Sequence, residues 1–399
     1  MITKIAENIY CVGAVDWNVR NFHGYTYTTA RGTTYNAYLI IDEKIALVDT
    51  VLPSFTEMLL NNIREIIDPS KIDYLIANHA EVDHAGAIPA VLEIAKNAKL
   101  VCSPRGKSSI GRLYGEHFNF MTVKTGDELK LGKKTLAFVE APMLHWPDSM
   151  FTYVKEDKLL LSNDAFGQHI ASSERFDDEY DPCITMDEAA KYYANILLPL
   201  SDFVIKKLEE VTKMGIEIKM IAPSHGIIWR KEPGKIINAY AKWASGEALP
   251  GILPEVLIVY ESMWGNTEKS ARAILDGLTM GGVRANLYGL PQNDRTEVIK
   301  DLMSAKGLIV GSSTHNEDIL LNLAAFLDDV KGLKPIKKIA SSFGTYGWSP
   351  VQAKNSLNAK LKTTGMEIVE SDLFFKWSPD AAELQKCVEF GKSFAAKIK

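Results

Sequence analysis

The sequence predicts an α/β protein of two domains, residues 1–250 and 251–399. Three observations carry this reading. At 399 residues the chain exceeds one ordinary hydrophobic core. From residue 256 onward strands and helices alternate with short connections, the pattern of a parallel, doubly wound sheet. Before residue 250, each later ligand-type residue directly follows an apolar, strand-like run.

Composition narrows the classes. Hydrophobic residues make up 46% and charged residues 24% of the chain, as in a soluble globular protein, and the net charge of -5 is too mildly acidic for a nucleic-acid or membrane-surface binder. Met1-Ile2-Thr3-Lys4 lacks a signal peptide's apolar core, and no apolar run is long enough to span a bilayer, so a cytoplasmic location is expected. Cys11, Cys102, Cys183 and Cys387 are scattered and form no C-x-x-C pair. A zinc ribbon, an iron–sulfur site and a rubredoxin module are therefore not encoded, and any such electron donor is a separate protein.

In the first domain, a strand at 9–12 precedes a hairpin, 34–41 and 45–49, turning at Asp42-Glu43-Lys44. Residues 55–67 have helical periodicity and Pro69 stops them. Residues 74–77 are an apolar strand, 86–95 a helix, 100–102 and 134–140 further strands, and 186–197 a helix.

The strand at 74–77 leads into Asn78-His79-Ala80-Glu81-Val82-Asp83-His84, four potential metal ligands within six residues. In an extended or loop backbone residues two apart point the same way, so His79, Glu81 and Asp83 converge while His84 turns toward a second point. That geometry suits two adjacent ions. His145, Asp164 and His225 each follow an apolar run, bringing the candidate set to seven. Mixed carboxylate and imidazole ligands lean toward iron or manganese without excluding zinc. Asp164, with two oxygens to share, is the natural bridge.

The pattern H-x-E-x-D-H, followed by His, Asp and His, resembles the metallo-β-lactamase superfamily, in which histidine usually stands at the position of Glu81. With Met143-Leu144-His145-Trp146-Pro147-Asp148-Ser149-Met150, Ser162-Asn163-Asp164-Ala165-Phe166-Gly167 and Ala222-Pro223-Ser224-His225-Gly226, the chain resembles the flavodiiron proteins, or A-type flavoproteins, and among them most closely the rubredoxin:oxygen oxidoreductases. The resemblance implies a metallo-β-lactamase-like αββα sandwich for residues 1–250. It implies one iron on His79, Glu81 and His145, the other on Asp83, His84 and His225, and Asp164 bridging. His84 is out of phase with its neighbours, and a water replaces it if the loop turns it away. His23 and Tyr193 are implied to line the gas pocket; His117 and His169 are read as non-ligands.

After the turn-rich linker Ser245-Gly246-Glu247-Ala248-Leu249-Pro250-Gly251 come strands at 256–260, 285–290, 307–310, 338–342 and 366–375. Helices at 267–280, 295–305, 319–331, 350–364 and from Ala381 alternate with them. Such a sheet binds its ligand beyond the carboxyl ends of its strands. There Glu261-Ser262-Met263-Trp264-Gly265-Asn266-Thr267 opens a helix, and hydroxyls of Ser262 and Thr267, the Asn266 amide and N–H groups freed by Gly265 can surround a phosphate. No lysine follows the glycine, so a monophosphate fits better than a triphosphate.

Two further loops belong with it. One carries Ser313, Thr314, His315 and Asn316; the other carries Ser342, Phe343, Gly344, Tyr346, Gly347 and Trp348. Glycines let the backbone approach a flat ring, and Tyr346 and Trp348 offer faces to stack on it. Together the loops resemble the FMN site of flavodoxins, so a flavodoxin-like FMN domain is expected for 251–399, with Ser313 where that family more often has proline.

Reduction of O2 to water takes four electrons, and a diferrous pair and a reduced flavin hold two each. The expected function is a reductase that passes electrons from an external carrier through FMN to a non-haem di-iron site, converting O2 to water, NO to N2O, or both. Rubredoxin is the expected donor, with reduced deazaflavin F420 as the alternative. Lys331, Lys334, Lys337 and Lys338 are a candidate docking cluster for an acidic carrier. A head-to-tail homodimer, or a dimer of dimers, is implied by the family. The competing reading is a binuclear zinc hydrolase with an appended flavodoxin domain.

Overall fold

A computed structural model of the protein describes residues 2–247, 255–349 and 352–398. The expected boundary between 250 and 251 and the expected helix start at Pro350 lie outside the described residues. The chain divides into two compact units, Met1–Tyr192 with Asp202–Ala241, and Tyr193–Ser201 with Lys242–Lys399. Among the described residues no helix is long and apolar enough to cross a membrane.

The first unit holds two large sheets and two short two-stranded ones. Seven strands run in the order Thr3–Ala6, Ile9–Cys11, Tyr38–Ile40, Ala46–Val48, Tyr74–Ala77, Lys99–Cys102 and Phe120–Thr122. Five more run Glu128–Lys130, Thr135–Glu140, Met150–Val154, Leu159–Asn163 and Met220–Pro223. Because strand side chains alternate faces, Val48, Ile76 and Val101 meet Phe138, Leu159 and Leu161 of the other sheet in one core. Their sequence neighbours Leu47, Leu75 and Leu100 face the opposite way, against Leu59, Ile63 and Val91 of the covering helices. Both faces of this sheet are thus buried, the layering expected of a metallo-β-lactamase-like sandwich.

Local departures have local causes. The helix expected over 55–67 is Thr56–Arg64, entered through a 3-10 turn at Pro53–Phe55. The one expected over 86–95 becomes a turn, Val82–Ala85, and a separate helix, Ile88–Ile94, with Pro89 in its first turn, where the missing N–H costs no hydrogen bond. The helix expected over 186–197 spans Pro182–Tyr192 and continues as a π turn, Tyr193–Leu197.

The second unit is a parallel sheet in the order Ala285–Gly289, Val256–Glu261, Gly307–Ser313, Ile339–Tyr346 and Glu367–Ile368, with Phe374–Lys376 also paired to Ile339–Tyr346. The single strand expected over 366–375 is therefore two short ones, and the strand expected to end at 342 continues to Tyr346. Lys338, placed in the lysine cluster, is buried, donates to the carbonyls of Met303 (2.9 Å) and Ala305, and has its pKa lowered to about 8 by that burial. It is not part of a surface patch.

Helices Asn266–Met280 and Ala381–Ile398 pack backbone to backbone. A methyl at Gly277 would lie 2.1 Å from the Val388 carbonyl oxygen, and one at Gly391 2.4 Å from that of Ile274. Gly277→Ala is expected to destabilise this unit by about 1–3 kcal/mol, the usual cost of overpacking, seen as a lower urea midpoint.

Candidate metal centre and cofactor cleft

Seven side chains from four segments of the chain converge in the first unit. His79 and Glu81 follow the strand Tyr74–Ala77 in extended backbone, whereas Asp83 and His84 lie in the helical turn Val82–Ala85. The turn corrects the expectation of a continuous loop and brings His84 inward. Asp164 follows Leu159–Asn163 and His225 follows Met220–Pro223, two parallel neighbours that end together.

The ligand atoms form two nests around Asp164. Its Oδ2 lies 3.7 Å from His79 Nε2 and 3.6 Å from His145 Nε2, and Glu81 Oε2 lies 3.3 and 3.2 Å from the same two nitrogens. Its Oδ1 lies 3.1 Å from His84 Nε2 and 3.4 Å from His225 Nε2, and Asp83 Oδ2 lies 3.4 and 3.2 Å from those. Charge-assisted hydrogen bonds are shorter, roughly 2.7–2.9 Å. Four to six ligands at about 2.0–2.2 Å from a shared ion would be separated by roughly 2.9–3.5 Å, close to these spacings.

Buried, unsatisfied atoms make the same point. Both oxygens of Asp83, Asp164 Oδ2, and Nε2 of His84 and His225 have no hydrogen-bond partner, although each is buried. An orphaned polar atom in a protein interior is costly, and five of them aimed at two points fit two cations. Electrostatics agrees. Burial would raise the pKa of Glu81, but His145, His23 and His79 more than reverse it; burial would raise that of Asp164, and His84, His225 and His145 reverse it. Burial would lower that of His79, and Asp148 and Glu81 overcome it; His225 is likewise raised to about 10, with Asp164 and Asp83 overcoming burial. Without metal the nests hold protons that incoming cations displace.

A further layer, unforeseen from sequence, orients the ligands. Asp148 Oδ2 accepts from His79 Nδ1 at 3.1 Å and from the Ala80 N–H at 2.7 Å, which leaves Nε2 as the lone-pair nitrogen facing Glu81 and Asp164. The Thr34 carbonyl accepts from His225 Nδ1 at 2.6 Å. Asp49 ties the roots of two ligand loops, taking the Asn78 N–H at 2.8 Å and the Asn163 amide at 3.2 Å. Gly226, at φ 77°, follows His225 where a methyl would strike Gln168 Oε1 at 1.7 Å.

Of the two expected pocket residues, His23 reaches the cluster, its Nε2 3.3 Å from Glu81 Oε1. Tyr193 does not: its hydroxyl meets Ser201 Oγ at 3.0 Å and its ring packs on Trp243. Its neighbour Tyr192, fully buried, donates to Asp164 Oδ1 at 3.0 Å. Successive helical residues point about 100° apart, so these two neighbours have different surroundings. His169 is not a ligand, but its ring stacks against His225 at 4.9 Å, with Nδ1 2.8 Å from Thr33 Oγ1. His117 packs on Phe118, away from the cluster.

The second unit has a cleft of about 360 Å³ at the carboxyl ends of its central strands. Met263, Trp264 and Asn266 line it from the first loop, Ser313, Thr314, His315 and Asn316 from the second, and Tyr346, Gly347 and Trp348 from the third. Gly265, at φ 79°, starts the helix Asn266–Met280 without a side-chain cap, leaving its first N–H groups for a ligand. Thr267 lies beneath, its hydroxyl 2.9 Å from Ser313 Oγ and 2.8 Å from Thr345 Oγ1, and Ser262 Oγ is buried without a partner.

Ser342, Phe343 and Gly344 do not line the cleft. They belong to the longer strand, where Phe343 is core and Ser342 donates to Asn358 at 2.6 Å. Glu317, Thr345, Ser349 and Trp377 line it instead. Trp264 and Trp348 are 88% and 86% exposed, so the cleft presents bare aromatic surface of the kind a planar ligand covers. A phosphate at the helix start and a ring against the exposed tryptophans fit these residues.

Comparisons with known proteins follow this division. The family model described as ODP family beta lactamase matches residues 33–226, and the Flavodoxin model matches 258–391. The chain is 52% identical to a nitric oxide reductase of Moorella thermoacetica over 99% of this chain and 98% of that protein. Its structure is similar to rubredoxin oxygen:oxidoreductase from Desulfovibrio gigas, with a TM-score of 0.95 at 36% identity, covering 100% of this chain and 98% of that one. It is also similar to the flavodiiron protein of Giardia intestinalis, with a TM-score of 0.93 at 35% identity, covering 100% and 97%.

Two outcomes test the sites. Asp148→Asn removes the carboxylate behind His79 and is expected to weaken metal binding about 10–100-fold, measured by iron retention against a chelator. Trp348→Ala is expected to weaken FMN binding by about 0.5–1.5 kcal/mol, measured by flavin fluorescence on titration.

Proposed function

The chain belongs to the flavodiiron proteins, and from that premise we propose that it takes electrons from an external carrier through FMN to a non-haem di-iron site, reducing O2 to water, NO to N2O, or both. The observation that carries this reading is the division of Asp164, one oxygen toward each nest. Residues 1–250 are the di-iron domain and 251–399 the FMN domain. His79, Glu81 and His145 hold one iron; Asp83, His84 and His225 hold the other; Asp164 bridges them. The spacing of His84 Nε2, 3.4 Å from Asp83 Oδ2 and 3.1 Å from Asp164 Oδ1, supports His84 as a ligand of the second iron.

When bound, the irons supply two reducing electrons at the gas and FMN supplies the two that replenish them. The chain's own side chains manage position and protons. Tyr192 keeps its proton on Oη, because burial, reinforced by Asp164, pushes its pKa well up, and it directs that proton at Asp164 Oδ1. This hydrogen bond holds the bridge in register. His23, 29% exposed, places its Nε2 3.3 Å from Glu81 Oε1 at the edge of the cluster. Trp146 packs its ring edge-to-face 5.0 Å from His79 and helps hold that ring in place.

Rubredoxin is the donor, a reading supported by the likeness to the Desulfovibrio gigas protein, and the protein is cytoplasmic. A head-to-tail homodimer brings one subunit's flavin to the other's irons, because electron transfer requires closeness. The zinc-hydrolase alternative is not supported: relatives matching the whole chain include a nitric oxide reductase, a rubredoxin oxygen:oxidoreductase and a flavodiiron protein, and a flavodoxin domain has no part in hydrolysis.

The deciding experiment is anaerobic reduction followed by separate O2 and NO pulses, with iron and FMN quantified on the same sample. Reoxidation by at least one gas is expected; failure with both in a fully loaded sample would sink the reading. Tyr192→Phe should retain its iron yet lose roughly tenfold to a hundredfold in turnover, the value of one hydrogen bond to a charged group.

A further inference from the structure

The first unit contains a second cavity, of about 290 Å³, that the proposed reaction does not use. It lies between the strands Met150–Val154 and Leu159–Asn163 and the helices Ser201–Lys213 and Pro233–Ser245, which contribute Phe151, Leu160, Val204, Val211 and Ile237. Its polar side chains are already engaged. Lys207 Nζ donates to the Glu140 carbonyl and the Glu210 carboxylate, the Thr212 hydroxyl donates to the Leu208 carbonyl at 2.7 Å, and the Tyr240 hydroxyl accepts the Phe166 N–H at 2.7 Å. The cavity opens to solvent beside the exposed Thr212 and Gly234, but its inner wall is apolar, and apolar space that offers water few of the about two to four polar partners it needs takes up benzene or xenon.

Position suggests the occupant. Leu144 and Phe166 also line the cavity, one residue before His145 and two after Asp164, so the loops that carry two metal ligands form part of its wall. Charged and strongly polar molecules would lose hydration there without finding a partner. Neutral diatomic gases have little hydration to lose and gain dispersion contacts with the apolar wall. We propose that this cavity is a docking site for small neutral apolar molecules, O2 and NO among them, and that it concentrates gas beside the metal centre. The gas-delivery part rests on the function proposed above.

Xenon tests the site without any redox chemistry. Crystals of the whole chain under xenon pressure should show xenon between Val204 and Leu160. Val204→Phe, which directs a ring into the space, should abolish that binding and raise the KM for the gas by roughly threefold or more, with kcat at saturating gas, iron content and the rate of flavin reduction unchanged. Val211→Phe fills the same space if the first variant does not fold, and Val204→Ala, which enlarges it, should keep xenon and leave KM unraised. Absence of xenon from the wild type, or a filled cavity with unchanged KM, overturns the proposal. Xenon binding in a wild-type protein that consumes neither gas supports the apolar site and defeats the redox reading instead.

Discussion

The structure of the first unit depends on a concentration of buried charge. Asp83, His84, Asp164 and His225 are at most 5% exposed, and three carboxylates and four imidazoles share one small volume. Isolated charges at such depth cost several kcal/mol each, so the arrangement stands only if they neutralise one another or hold cations. The rest of the unit follows from that demand: strands that end together, loops short enough to converge, and hydrogen bonds that stop the ligands from turning toward each other.

Those hydrogen bonds distinguish the two nests. His79 is backed by the carboxylate of Asp148, whereas His225 is backed by the Thr34 carbonyl. Asp49 lies beneath both, fastening Asn78 and Asn163 and so fixing where His79 and Asp164 begin. The cofactor cleft of the second unit is organised differently. Among the described residues it buries no comparable cluster of charge, and it relies on a left-handed Gly265, a hydroxyl cluster around Thr267 and exposed tryptophans. An ion needs a rigid, deep nest, while a flat cofactor can rest on a surface with its phosphate at a helix start.

The reading from sequence succeeded where chemistry is local. Ligand-type residues after apolar strands, a glycine before a helix and regular strand–helix alternation are all visible within a few positions. It went astray where side-chain direction depends on exact phase. The hydroxyl that meets Asp164 belongs to Tyr192, next to the expected Tyr193, and Ser342, Phe343 and Gly344 were assigned to a loop because the strand's end was set four residues early. Lys338 counts as a surface charge in a sequence pattern, yet the carbonyls of Met303 and Ala305 draw it inside.

The sequence alone determined the ligand chemistry: the glutamate at position 81, the seven donors and the two cofactor classes, because residue identity sets which atoms can bind a metal or a phosphate. Only the tertiary structure decided how those donors divide into two nests, that a helical turn carries His84 inward, that Asp148 and Asp49 stand behind them, and that a cavity with largely apolar walls lies alongside. These facts depend on contacts between residues as far apart in the chain as Asp49 and Asn163. No periodicity or spacing records such contacts, since they arise when two sheets pack and their strand ends meet.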